Sequence, residues 1–106
     1  MGINMNFIKQ AQILQEKIKK MQEELVHKQA TGSAGGDMVR ATVNGRHELV
    51  QISIAREVVN PDDIEMLEDL IVAAVTDAMH KMDEIIKMEM AKITGGLSIP
   101  GLEVPF

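Results

Sequence analysis

Apolar side chains recur at every second position in two segments between residues 37 and 54. These side chains are Val39, Ala41, Val43, Val50, Ile52 and Ile54. A period of two is the signature of a half-buried β-strand, so the pattern predicts an antiparallel hairpin with all six side chains on one face. An isolated two-stranded hairpin is only marginally stable in water, and the flanking helical segments are the expected cover for that face.

The Asn44-Gly45 pair lies between the two segments and predicts a type I′ turn, because both residues tolerate the positive φ that this turn requires. A two-residue loop would pair Val39 with Val50, and a four-residue loop would pair Val39 with Ile52. Both registers keep the same six side chains on one face, whereas a slip by one residue would turn the returning strand over.

Before the hairpin, apolar residues are spaced alternately by four and three positions. They are Phe7, Ala11, Leu14, Ile18, Met21 and Leu25. This heptad-like spacing predicts an exposed amphipathic helix over residues 4–28 with a narrow apolar seam. Two partners for the seam remain open, the second helix of the same chain and an oligomer interface. The glycines of residues 32–36 end the helix, and a weak edge strand over residues 28–33 is a further possibility.

A second helix is predicted over residues 61–93. Asn60 is a good N-cap, Pro61 suits the first helical position, and Asp62 and Asp63 stabilise the positive end of the helix dipole. At about 1.5 Å per residue an unbroken helix would be roughly 50 Å long, so we expect either that one end projects beyond the globule or that the helix breaks. Gly95 follows as a stop signal, and residues 94–106, rich in Pro and Gly, are expected to form a mobile tail. The fold class predicted for residues 1–106 is a single α+β domain with its sheet in residues 29–56.

The composition excludes several kinds of site. There is no Cys, hence no disulfide and no thiolate zinc site, and nine Met with two Phe and no Trp or Tyr indicate a core without large aromatic side chains. A secretory signal and a long apolar span are both missing from the sequence, so we expect a cytoplasmic protein that does not enter a membrane. Because small domains bury little surface, an oligomer is also expected.

Candidate catalytic residues are few. His27, His47 and His80 lie outside any recognisable nucleophile or metal motif, and a helix would place Asp77 and Glu84 beside His80. The ordinary interpretation of that trio is a solvated charge pair. The acidic residues at the start of the second helix fit its dipole and lack the loop of a calcium site. The sequence therefore predicts a protein that is not an enzyme, with no cofactor, metal or small-molecule substrate.

The charge is unevenly distributed. The net charge is −5, yet the first 30 residues carry five Lys against three Glu. On a helical wheel Lys9, Lys17, Lys20 and Lys28 share about a quarter of the circumference, which makes a basic stripe beside the seam. Two interpretations of this stripe are open. In the first, favourably ordered i,i+4 pairs with Glu16 and Glu24 make it a solvated salt-bridged face. In the second, the lysines contact duplex phosphates.

Several stretches resemble the YbaB/EbfC family of bacterial nucleoid-associated proteins, in the same order along nearly the whole chain. They are residues 10–12, 15–18 and 21–24, the Thr-Gly-Ser-Ala-Gly-Gly run of residues 31–36, Val-Asn-Gly at 43–45, residues 65–71, and the Pro-Gly-Leu and Pro-Phe of the tail. The resemblance implies a homodimer whose sheets form the central body while the helices project as arms. It also implies duplex DNA binding in the nucleoid, chromosome organisation and an influence on transcription.

This resemblance favours the phosphate-contacting interpretation, and charge and placement along the helices select the candidate residues. The expected DNA-binding residues are Lys9, Lys17, Lys19, Lys20, Lys28, Lys87 and Lys92. The expected dimer interface is the apolar hairpin face, with Val39, Ala41, Val43, Val50, Ile52 and Ile54. The alternative is a dimeric adaptor whose Met-rich helix surface docks a recombination or replication protein, with little direct DNA contact.

Overall fold

The structure, a computed structural model of the chain, describes residues 5–95. The fold consists of two α-helices and a three-stranded antiparallel sheet with strand order β1-β2-β3. The elements are α1 (Met5–Leu25), β1 (Gln29–Ala34), β2 (Val39–Asn44), β3 (Leu49–Ile54), a 3-10 turn (Arg56–Val58) and α2 (Ile64–Thr94). The α+β class and its two helices are confirmed. The tail expected to be mobile lies outside the described residues from 96 onward.

Strand β1 is a full member of the sheet and forms the base on which α2 rests. Gly32 is buried there, and a Cβ added to it would lie 2.1 Å from the backbone nitrogen of Ala78 and 2.4 Å from the carbonyl oxygen of Ala74. The backbones of strand and helix are therefore in direct contact. Only a glycine facing alanines permits this approach, which explains why a segment of low strand propensity occupies this place.

The hairpin of β2 and β3 has neither of the two predicted registers. Val39 pairs with Ile54 and Ala41 with Ile52, and the register then shifts so that Val43 lies opposite Leu49. The face prediction is correct where the ladder is regular, since these four paired residues keep their expected side. The irregularity places an extra residue, Val50, in β3, and such a bulge locally bends and twists its strand.

The predicted type I′ turn is also wrong, since neither Asn44 nor Gly45 has a positive φ. The connection is longer, and His47 is its residue in the left-handed region, with φ 59°. The side-chain oxygen of Asn44 accepts hydrogen bonds from the backbone N–H of Arg46 at 2.9 Å and of Glu48 at 3.1 Å. Gly45 serves a different need, because a Cβ there would lie 2.1 Å from the carbonyl oxygen of Leu25.

Helix α2 begins three residues later than predicted. Its N-cap is Asp63, whose carboxylate accepts a hydrogen bond of 3.2 Å from the backbone N–H of Met66. Asn60 instead accepts a 3.0 Å bond from the backbone N–H of Asp62 and forms the turn before the helix. The predicted stop is confirmed, since Gly95 caps the helix in the left-handed conformation with φ 63°.

The core lies where α2 covers β1 and β2, and it is completed by two side chains from the last turns of α1. Its buried residues are Met21, Leu25, Ala30, Val39, Ala41, Val43, Val58, Ala74, Ala78, Met82 and Ile86. The molecule measures 72 × 22 × 17 Å. The α2 side chains packed on this core extend from Leu67 to Ile93, so α2 is accompanied along nearly its whole length. The projecting element is instead the first part of α1.

Candidate nucleic-acid interface

Helix α1 has a packed end and a free end. Met21 and Leu25 are buried, Leu14 and Ile18 are partly covered, and Phe7 remains 66% exposed. The heptad seam therefore packs against α2 of the same chain only in its last turns. We call residues 5–20 the α1 arm, because its surface is largely solvent-exposed.

A groove between the base of the arm and the end of α2 gathers four of the predicted DNA-binding residues. Lys17 and Lys20 of α1 line it opposite Lys92 of α2, with Met21 and Ile93 at its floor. It continues at Lys28, which shares an adjoining recess with Lys92, Ile85 and Met88. We call this surface, defined by Lys17, Lys20, Lys28 and Lys92, the lysine groove.

One carboxylate organises the lysine groove. An oxygen of Glu89 lies 3.1 Å from the Nζ of Lys92 and 3.5 Å from the Nζ of Lys28. The hydrogen bond from Lys92 and the charge of Lys28 hold the pKa of Glu89 below its usual value. Glu89 therefore stays ionised at neutral pH and bridges the two ammonium groups. One negative charge shared by two lysines leaves this part of the groove cationic.

The lysines on α1 carry no such partner. Within residues 5–95, Lys9, Lys17, Lys19 and Lys20 take part in no ion pair within 4.0 Å. The expected pairing of Lys20 with Glu16 is not formed, and Lys28 pairs with Glu89 rather than with Glu24. The interpretation of the stripe as a salt-bridged face is thus wrong for these side chains, whose ammonium groups are available to an external anion.

The remaining predicted lysines are placed differently. Lys9 lies farther out on the α1 arm. Lys19 is one residue from Lys20, about 100° around the helix, and lines a separate cleft beside Arg46. Lys87 pairs with Glu84 at 3.8 Å outside the lysine groove. Lys81 pairs with Asp77 at 3.0 Å and donates to the carbonyl oxygen of Thr31, so its charge serves the contact between α2 and β1.

The histidines form no metal site. Among residues 5–95 no group of three or more His, Cys, Asp or Glu side chains is arranged to hold a metal ion. Asp77, which the sequence places beside His80, accepts a 3.0 Å hydrogen bond from the backbone N–H of Ser33. His47, in contrast, lies 2.7 Å from a carboxylate oxygen of Asp83 and ties the hairpin loop to α2. Sequence reasoning missed this pair, since the two residues are far apart along the chain.

The predicted dimer face divides into two parts. Val39, Ala41 and Val43 are completely buried inside the chain, so they offer no surface to a second copy. Val50 and Ile52 are 47% and 38% exposed, and Leu49 beside them is 49% exposed. Helix α2 packs on β1 and β2 and makes few contacts with β3. The uncovered apolar surface of the sheet is therefore β3.

No helix within residues 5–95 is both long enough and apolar enough to cross a membrane.

Comparison with known proteins identifies close relatives. The profile of the YbaB/EbfC DNA-binding family matches residues 1–97. The nucleoid-associated protein TTE0040 of Caldanaerobacter subterraneus subsp. tengcongensis is 60% identical over 102 residues, covering 95% of this chain and 92% of that protein. A nucleoid-associated protein of Syntrophobacter fumaroxidans is 51% identical over 105 residues, covering 99% of this chain and 96% of its own.

The fold also matches a solved structure. The crystal structure of the uncharacterized protein HP0035 from Helicobacter pylori superposes with a TM-score of 0.74 at 20% sequence identity. The match covers 89% of this chain and 100% of that chain. At this level of identity the likeness establishes a common fold and nothing beyond it.

Proposed function

This chain belongs to the YbaB/EbfC DNA-binding family, and from that premise we propose that it binds double-stranded DNA as a homodimer in the nucleoid. In this role it organises the chromosome and influences transcription, without catalysing a reaction. The observation that carries the proposal is that Lys17 and Lys20, on one side of the lysine groove, have no ion-pair partner among the described residues.

Local charge is what makes DNA binding compatible with an acidic protein. The net charge is −5, so the protein as a whole repels a polyanion at long range. Within a Debye length of about 10 Å, however, the nearest charges dominate at moderate salt. Lys17, Lys20, Lys28 and Lys92 outnumber Glu24 and Glu89 at the lysine groove. Duplex phosphates are therefore attracted at this surface, while the acidic start of α2 faces elsewhere.

Dimerisation supplies the second half of the binding surface. The exposed side chains of Leu49, Val50 and Ile52 give β3 an apolar surface, and β3 is an edge strand with unpaired backbone groups. Such an edge is a template for pairing with another chain. Joining two copies at β3 buries this surface and presents two lysine grooves and two α1 arms to one duplex.

A protein-docking role is the second candidate. Met88 is 62% exposed and lies beside the lysine groove, so a helix or loop of a recombination or replication protein has an apolar contact available there. In this case the chain is an adaptor, and the lysines would meet acidic side chains of the partner instead of phosphates. The two candidates differ in whether the purified protein alone binds DNA.

The test is a salt titration of binding to unrelated duplexes of equal length. Each phosphate contact contributes about −0.9 to the slope of log K against log salt, so Lys17→Ala and Lys20→Ala should each flatten the slope by roughly one per contact removed. The double variant Lys17→Glu/Lys20→Glu should lose binding at moderate salt. Its matched control is Arg40→Glu/Arg56→Glu, which makes the same change of charge outside the lysine groove.

Equal losses in the two double variants would mean that net charge, not the lysine groove, governs binding. A wild-type dimer that ignores DNA at low ionic strength would overturn the proposal and favour the adaptor.

A further inference from the structure

A second surface with two basic side chains lies on the other side of α1 from the lysine groove. Lys19, Gln22 and Glu23 of α1 form one wall of a cleft, and Arg46 and His47 of the loop between β2 and β3 form the opposite wall. We call it the Arg46 cleft. We propose that Arg46 is a phosphate-binding residue, so that the hairpin loop contacts the DNA backbone alongside the α1 arm. The inference rests on the function proposed above.

The charges of the cleft support an anionic ligand. Of the two acids that line the cleft, Asp83 lies 2.7 Å from His47 and forms a hydrogen bond with it. Within residues 5–95, Arg46 and Lys19 have no ion-pair partner, and Glu23 is the one acid of the cleft left without one. Two basic side chains without an ion-pair partner thus lie beside one such acid, so an anion that enters the cleft meets two cations that no carboxylate within 4.0 Å already holds.

The loop holds Arg46 in place before any ligand arrives. Its backbone N–H donates to the side chain of Asn44 at 2.9 Å, and the preceding Gly45 donates to the carbonyl oxygen of Leu25 at 3.1 Å. The following residue, His47, is fixed to α2 through Asp83. An arginine whose backbone is fixed on both sides loses little backbone freedom on binding, and its planar guanidinium suits two oxygens of one phosphate.

The chemistry of the cleft also separates the roles of its residues. Arg46 is exposed and is placed to touch the ligand. His47 is already hydrogen-bonded to Asp83 and has φ 59°, so it acts as a positioning residue for the loop. Lys19 adds a flexible positive charge from α1.

The experiment compares Arg46→Ala with Arg40→Ala in the same salt titration. Both substitutions remove one arginine from an exposed position, but Arg40 is paired with Asp37 at 3.7 Å and lies outside the cleft. Arg46→Ala should weaken binding by roughly fivefold to tenfold at low salt and flatten the slope by about one for each Arg46 in contact with DNA. Arg46→Lys should keep the slope but lose part of the affinity, since a lysine cannot bind a phosphate in a bidentate manner.

The variant His47→Ala tests whether His47 positions Arg46 for DNA binding. It should weaken binding in the wild-type background and have no further effect when Arg46 is already alanine, because it acts through that residue. Melting temperatures of all variants establish that each is folded.

If Arg46→Ala binds with unchanged affinity and slope while Lys17→Ala is impaired, the Arg46 inference fails and the proposed function stands. If the folded wild-type protein binds no DNA, both fail together. An equal effect of Arg40→Ala would also overturn the inference, since the loss would then reflect net charge.

Discussion

The two edge strands of the sheet make an instructive contrast. β1 has the sequence QATGSA, with small and polar side chains, and it is covered by α2. β3 has the sequence LVQISI, which is far more apolar, and five of its six residues are exposed. Burial in this chain therefore follows how closely a helix can approach a strand, and not the hydrophobicity of that strand alone.

Hydrogen bonds reinforce the same asymmetry. Asp77 accepts from the backbone N–H of Ser33, and Lys81 donates to the carbonyl oxygen of Thr31. Two polar backbone groups of β1 thus bond to side chains of α2, as is expected of an edge that a helix protects. α2 does not cover β3 in this way. We call β1 the closed edge of the sheet, because α2 covers it, and β3 the open edge.

The largest loss of stability should come from adding a side-chain atom where the backbones of β1 and α2 are in contact. Gly32→Ala places a Cβ 2.1 Å from the backbone nitrogen of Ala78, and neither backbone can move without separating the helix from the sheet. We expect a destabilisation of about 3 kcal/mol or more, at the upper end of overpacking effects. Urea denaturation followed by circular dichroism measures it.

Gly36→Ala is the matched control for Gly32→Ala. Gly36 has nothing within 4 Å of an added Cβ, so its variant experiences only the cost of a left-handed backbone with φ +64°. That cost is about 1–2 kcal/mol. A Gly32→Ala variant no less stable than Gly36→Ala would show that α2 does not depend on this close approach.

The second prediction concerns dimerisation through β3, the open edge of the sheet. Ile52→Lys puts a charge on the exposed apolar surface of β3, so a dimer joined there should dissociate while the chain keeps its fold. Burying an unpaired charge in an interface is strongly unfavourable. Light scattering at micromolar concentration should then report the mass of one chain, 11.7 kDa, in place of two.

Met88→Lys controls for the added charge. Met88 is 62% exposed, but it lies beside Gln29 of β1, on the opposite side of the sheet from β3. This variant should keep the mass of the wild type. Dissociation of both variants, or of neither, would mean that β3 is not the surface where two copies meet.

Much of the fold could be predicted because periodic patterns report which side chains face a neighbour. The heptad of α1 and the apolar stripe of α2 gave helix ends within three residues, and the alternation in the hairpin gave the correct face for Val39 and Ile52. The longer loop combines two backbone hydrogen bonds to the side chain of Asn44 with a non-local contact between Gly45 and Leu25, which a two-residue turn preference does not contain. Hairpin propensity alone therefore favoured too short a loop.

The candidate site was predictable only in part, for the same reason. The wheel placed Lys17, Lys20 and Lys28 on one side of a helix, and the structure brings Lys92 to them. The ion pair between Lys28, in the connection from α1 to β1, and Glu89 of α2 decides which lysines remain available, and it joins residues 61 positions apart. Arg46 had a weaker signal, as a charged residue beside the hairpin tip.

The smallest change in stability is expected from removing the hydrogen bond between Asp77 of α2 and the backbone of β1. Asp77→Ala removes the acceptor for the Ser33 N–H and the partner of Lys81, so the melting temperature at neutral pH should fall by a few degrees. Glu84→Ala is the control, since Glu84 is also an acid of α2 paired with a lysine, but it is highly exposed and touches no strand. Its melting temperature should stay within about one degree of the wild type.

The pH dependence of the difference in melting temperature between wild type and Asp77→Ala shows whether the charge of Asp77 is responsible. The hydrogen bond from Ser33, and then that from Lys81, hold the pKa of Asp77 below its ordinary value in the folded protein. A carboxyl group whose pKa is depressed by folding stabilises the protein at pH values above its unfolded pKa, about 3.9 for Asp, and this contribution disappears as the pH falls through the folded pKa. The melting difference between wild type and Asp77→Ala should therefore be constant from pH 5 to 7 and shrink below about pH 4. A difference in melting temperature that stays the same in acid would mean that Asp77 acts through packing and not through its charge. The attachment of β1 to α2 would then depend on the contact of Gly32 with α2 alone.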